Sequence, residues 1–181
     1  MTSRFICKTG LIIALLLAGL GAGADAQSYQ KFVGEYEGTG TVDPTGTLET
    51  RDLKVKITET KKGFKVAWVS VSRGAGGKSK RKSYTVEFQP SKRENIYSAA
   101  MRTDLFGNRV PLDPLAGDPY VWARIDGNVL IVYAMLINDD GGYEMQVYER
   151  TLTPAGLDLS YSRVRDGERL RTITAELKRI K

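Results

Sequence analysis

The side chains most often recruited for covalent and metal chemistry are nearly missing from this chain. It has no histidine and a single cysteine, Cys7. That removes a Ser-His-Asp triad, a Cys-His nucleophile and an ordinary zinc site. Tyrosine, lysine and the carboxylates remain, and two carboxylates suffice to cleave a glycoside. The acidic residues, however, fall mainly in turns and on strand positions that alternate away from apolar ones, where solvation accounts for them. Two stretches imitate known sites. Ser72-Arg73-Gly74-Ala75-Gly76-Gly77-Lys78-Ser79 approaches a phosphate-binding loop. Ser72 stands where the first glycine belongs, and such a loop must open a helix, whereas Lys80 to Phe88 reads as strand. Asn138-Asp139-Asp140-Gly141-Gly142 lacks the spaced acidic ligands of a calcium loop and reads as a turn. No catalytic residue, metal site or cofactor is expected.

Rings and cations are what the chain offers instead. Alternation along its strands sends Tyr36, Val55, Ile57, Val66, Trp68, Tyr84, Phe88, Met145, Val147, Leu159 and Tyr161 to one side. Of these, Tyr36, Trp68, Tyr84, Phe88, Met145 and Tyr161 are the candidate ligand-binding residues, since small-molecule pockets are mostly apolar with a few polar groups. The cations cluster at Lys78, Lys80, Arg81 and Lys82, and again at Lys92-Arg93. The first cluster forms a basic surface patch able to attract an anionic envelope surface. Nucleic acid is not an expected partner, because the aromatic-plus-basic strand signature of an RNA-binding sheet is missing.

These residues must be positioned by strands. The first 26 residues carry a cationic start at Arg4 and Lys8, an apolar run from Leu11 to Leu20, and the small-x-small stretch Ala24-Asp25-Ala26. That is the pattern of a signal peptide cleaved after Ala26, so the mature chain, 27–181, is expected in the periplasm or secreted. Without the leader it holds 25 basic and 20 acidic residues and no cysteine. It would enter an oxidising compartment with no disulfide, relying on one core that roughly 155 residues can supply. No later stretch is apolar for long enough to span a bilayer as a helix.

Glycine, proline and Asx turns divide the rest into about ten short strands with no helical periodicity. The Asp126-Gly127-Asn128 and Asp166-Gly167 turns are hairpin signals. Val129 to Ile137, apolar almost throughout, is expected to be the most buried strand. Residues 103–119 form a connection long enough to serve as a lid over a mouth, or as an idle crossover. Consecutive hairpins suggest an all-β, single up-and-down antiparallel barrel, because closure removes exposed edges. A sandwich is the alternative. A membrane barrel is disfavoured by charges at Lys54, Lys56, Lys65 and Glu87 on outward positions.

The opening strand, Phe32-Val33-Gly34-Glu35-Tyr36-Glu37-Gly38-Thr39-Gly40, organises this barrel. Its inward face is one ring among three glycines, a pattern of strand coiling, bulging, close approach or open volume. The stretch resembles the first strand of calycin-type barrels, the lipocalins and fatty-acid-binding proteins, and is most similar to the nitrobindin-like branch. There, Tyr36 would stand in place of a tryptophan between spaced glycines. The resemblance implies a closing strand whose arginine packs across that ring; Arg179 has the right parity, so Gly34, Tyr36 and Arg179 would close the barrel. It also implies a haem held by histidine, which this chain cannot supply. Two functions follow as expectations: a non-enzymatic binding barrel for a small hydrophobic ligand, or an envelope interaction module working through its basic loops. An enzyme built on tyrosine, lysine or carboxylates comes third.

Overall fold

A computed structural model of the chain describes residues 28–43, 49–73, 78–103, 109–110 and 112–181. The expected leader and residues 44–48, 74–77, 104–108 and 111 lie outside the described residues.

Ten strands form one closed antiparallel barrel in simple meander order: β1 (Gly34–Asp43), β2 (Glu49–Thr60), β3 (Gly63–Arg73), β4 (Ser79–Pro90), β5 (Ile96–Ala99), β8 (Tyr120–Asp126), β9 (Val129–Ile137), β10 (Tyr143–Thr153), β11 (Gly156–Arg165) and β12 (Glu168–Arg179). A two-stranded ribbon, β6 (Arg102–Thr103) with β7 (Arg109–Val110), interrupts the connection from β5 to β8. The fold is thus all-β and up-and-down, the architecture that the hairpin spacing and the calycin-type opening both imply. The Asp166-Gly167 turn has positive φ at both residues (48° and 87°), the type I′ geometry that matches strand twist.

Closure runs between β1 and β12, with Tyr36 opposite Arg179 and Gly40 opposite Ala175. The Arg179 guanidinium carbon lies 4.9 Å from the Tyr36 ring centre. Its Nη1 and Nη2 donate to the carbonyls of Val33 (2.8 Å) and Lys31 (3.1 Å). Arg179 therefore fastens the chain entry to the last strand as well as covering the ring. The inward glycines of β1 do not open volume. A Cβ on Gly38 would collide with the Glu176 carbonyl of β12, and one on Gly40 would press on Ile173 and Leu53. The space that side chains would take is filled by the neighbouring strand, so close approach is the reason for those glycines.

The two ends of the barrel differ. A 3-10 turn at Gln30–Phe32 plugs one end, burying Phe32 completely and Tyr29 almost so. Tyr29 stacks on Phe64, which stacks on Phe88 and meets Tyr97 edge-on, with ring centres 5.0–5.2 Å apart. Ile57, Leu130, Leu157 and Leu177 complete this dry end. At the other end the inward positions turn polar.

β9 is less buried than its composition suggests. Leu130 and Val132 are buried, while Ile131, Tyr133, Met135 and Ile137 are only half-buried, on the opposite, outward face. Trp122 of β8 stacks on Tyr133 there at 4.8 Å. The long connection places a 3-10 turn, Pro114–Ala116, against β9. None of its described residues lines the lumen.

Candidate functional site

The lumen at the unplugged end holds a cavity of about 420 Å³, a size typical of small-molecule sites. Its wall is built from the inward positions of β2, β3, β4, β9, β10, β11 and β12. Leu53, Val55, Leu159 and Ile173 supply apolar surface, and Trp68, Tyr84, Tyr148 and Tyr161 supply rings. Trp68 and Tyr84 are cross-strand partners and stack at 5.3 Å. Trp68 also meets Tyr148 at 5.1 Å from across the barrel, and Tyr148 meets Tyr161 at 4.7 Å. Burial pushes the Tyr161 hydroxyl up to about 12 and that of Tyr148 higher still, so both are neutral donors at neutral pH.

Three of the six residues proposed from sequence for ligand contact line this cavity: Trp68, Tyr84 and Tyr161. Tyr36 and Phe88 are fully buried elsewhere. Tyr36 hydrogen-bonds to the Phe32 carbonyl at 2.8 Å, and Phe88 packs on Phe64 in the plugged end. Met145 and Val147 are corrected to the outer face. They pair with Met135 and Tyr133 of β9, while Glu144, Gln146, Tyr148 and Arg150 point inward. The apolar face of β10 looks outward because its hairpin with β11 sets the register. Arg150 faces Leu159 and Tyr148 faces Tyr161, and directly opposed residues share a side of the sheet.

The polar wall of β10 contains a continuous hydrogen-bond chain. Tyr148 Oη donates to Gln146 Oε1 (2.8 Å), Gln146 Nε2 donates to Glu144 Oε1 (2.6 Å), and Arg163 pairs with the other Glu144 oxygen. Burial pushes the Glu144 carboxyl up, but these donors and the Arg163 and Arg165 charges outweigh it and hold it below the usual range. At the cavity floor Arg150 is 1 % exposed, and its guanidinium carbon lies 5.6 Å from the Trp68 ring centre and 5.5 Å from that of Tyr148, alongside the contacting pair. Burial pushes its pKa down to about 10, opposed in part by Tyr148, so it stays protonated at neutral pH.

The basic cluster divides by parity. Lys80 and Lys82 pair with Ser72 and Ser70 on the inward side of β4, whereas Arg81 pairs with Val71 on the outside. Lys82 lines the cavity with Arg51, Arg163 and Arg171. Lys78, Lys80, Arg81 and Lys82 are all exposed. The segment that imitates a phosphate loop connects two strands, β3 and β4, with no helix after it. In the Asn138–Gly142 turn, the Asp140 carboxylate accepts from the Gly142 amide (3.0 Å) and from Arg165 (2.6 Å). Among the described residues no helix is long and apolar enough to cross a membrane. The chain matches no family model and no curated protein, so its function is read from this geometry.

Proposed function

We propose that this chain is an exported, non-enzymatic binding barrel that takes a small, largely hydrophobic ligand into its lumen. The observation that carries the reading is the ring-lined cavity of about 420 Å³ at one end of an otherwise filled barrel. An eight-stranded barrel can hold one small ligand or be packed solid by its own side chains, and ten strands make the interior wider. Here the plugged half is packed in that way, and the other half keeps space against four aromatic rings.

Titration with the neutral fluorophore N-phenyl-1-naphthylamine tests it. Saturable fluorescence gain is expected in the native chain. It should be lost in Ile173→Trp, which fills the cavity, and kept in Trp122→Ala, which alters only the outer face. Gain that survives Ile173→Trp but not Trp122→Ala would move binding to the outside of β8 and β9 and end the lumen reading.

The second reading, an envelope interaction module, is favoured by the exposure of Lys78, Lys80, Arg81 and Lys82 around the mouth. It predicts attachment to anionic vesicles that collapses with salt and ignores Ile173→Trp.

A further inference from the structure

Arg150 is the least expected residue of the lumen. Its Nε and Nη1 are buried and find no acceptor among the described residues. Glu144, the carboxylate on the cavity wall, is engaged by Arg163 and Gln146 instead. A buried cation normally keeps a paired anion, because the lost hydration is not otherwise recovered. The Trp68 and Tyr148 rings, 5.6 Å and 5.5 Å away, recover part of it. They accept no in-plane hydrogen bond, so the N–H donors of Nε and Nη1 stay unmatched.

The rest of the wall has the same bias. Asn138 Nδ2 and Arg163 Nε are further buried donors on the cavity with no acceptor among the described residues. Nearer the mouth, Arg163 and Arg171 oppose each other directly across β11 and β12. Like charges so placed cost stability. The Lys82 ammonium is disfavoured there by burial and then by the surrounding cations, Lys80, Arg51, Arg163 and Arg171. Such a wall is complementary to negative charge. Below Arg150 the barrel is shut by Phe64, Phe88 and the Phe32 plug, so an acid group on Arg150 would be the deepest part of any ligand. The remainder must fit in the ring-lined space above.

We propose that the lumen is an anion site: its ligand is a compact aromatic acid whose charged group docks on the Arg150 guanidinium while its ring system packs against Trp68, Tyr148 and Tyr161. This rests on the binding-barrel reading and adds the charge and shape of the ligand. The mouth cations draw the acid in, and Arg150 receives it in a charge-assisted bond.

Calorimetric titration of the purified chain with three probes tests the proposal: 2-naphthoate, its neutral isostere 2-naphthamide, and oleate. The naphthoate should bind at least about tenfold more tightly than the amide, the scale of one charge-assisted hydrogen bond. Arg150→Met should erase that preference and leave amide binding in place, and Arg150→Lys should keep part of it. Equal affinity for naphthoate and amide in the native chain overturns the anion site while the binding barrel stands, as does a preference unchanged in Arg150→Met. Should Arg150→Met fail to fold, the native comparison and Arg150→Lys decide. Oleate binding more tightly than naphthoate overturns the compact ring. Binding of none of the three overturns both the anion site and the barrel reading beneath it.

Discussion

Glu144 and Arg150 lie on the same inward face of β10, and the lumen treats them in opposite ways. Glu144 collects donors from Arg163 and Gln146, so its charged form is favoured by folding. Arg150 collects rings, so its charge is tolerated rather than matched. The pH consequence for Glu144 has a definite sign. A carboxyl whose folded pKa is depressed contributes stability that is present above its unfolded pKa and lost as pH falls through the folded one. Stability should therefore decline as the solution is acidified below about pH 4.3, the ordinary glutamate value. Glu35, held low by Lys56, and Asp140, held low by the Gly142 amide, contribute to the same decline. Glu144→Gln should cost about 1–3 kcal/mol at pH 7, because it removes the negative charge and turns one of the two accepting oxygens into an amide donor facing another donor. It should also make the acid decline shallower. Urea midpoints for both proteins between pH 3 and pH 7 check this; parallel curves would mean that Glu144 is not selectively stabilised in the fold.

At the scale of elements, the seam between β1 and β12 decides whether the sheet becomes a cylinder. Gly38 sits where β12 crosses most tightly, with the Glu176 carbonyl in the place of a side chain. Gly38→Ala must push the two strands apart, and backbone cannot yield as a flexible side chain does. The expected cost is about 1–3 kcal/mol, the range for overpacking, read as a lower denaturation midpoint. An alanine there without effect would show that the seam is looser than its geometry. This strand and its partner are legible in the sequence: the glycine-spaced stretch marks the opening strand, and the parity of Arg179 puts it over Tyr36. The meaning of the glycines is less legible, because a missing side chain looks alike whether a neighbour or empty space replaces it. β10 misleads for a different reason. Its apolar residues Met145 and Val147 suggest an inward face, but in this half of the barrel the inside is polar and the outside of β9 and β10 is apolar. The corrective signal is the short Pro154-Ala155 hairpin, which fixes Arg150 opposite Leu159 and Tyr148 opposite Tyr161. Counted outward from that turn, the residues of β10 put an arginine among the rings of the lumen.

The whole molecule is a cylinder of two unlike halves joined by continuous strands. The plugged half buries Phe32, Phe64, Phe88, Tyr97, Leu130, Leu157 and Leu177 with little polar interruption. The mouth half surrounds a cavity with Arg51, Lys82, Arg150, Arg163 and Arg171 against Glu144. Local opening is governed by how much apolar contact is lost and how readily water replaces it, so the halves should open at different free energies even along one strand. In β2, amides near Ile57 should exchange with solvent more slowly than those near Arg51. In β11, amides near Leu157 should outlast those near Arg163. An occupant that neutralises Arg150 binds only the folded barrel, so it should slow exchange mainly in the mouth half. Hydrogen exchange followed by mass spectrometry, with and without saturating 2-naphthoate, reads both effects. A protection gradient along each strand that flattens with the acid is the expected result. Uniform protection from plug to mouth in the free protein would mean that the cavity and its cations cost the fold nothing, and the division into a packed end and a receptive end would have no energetic content.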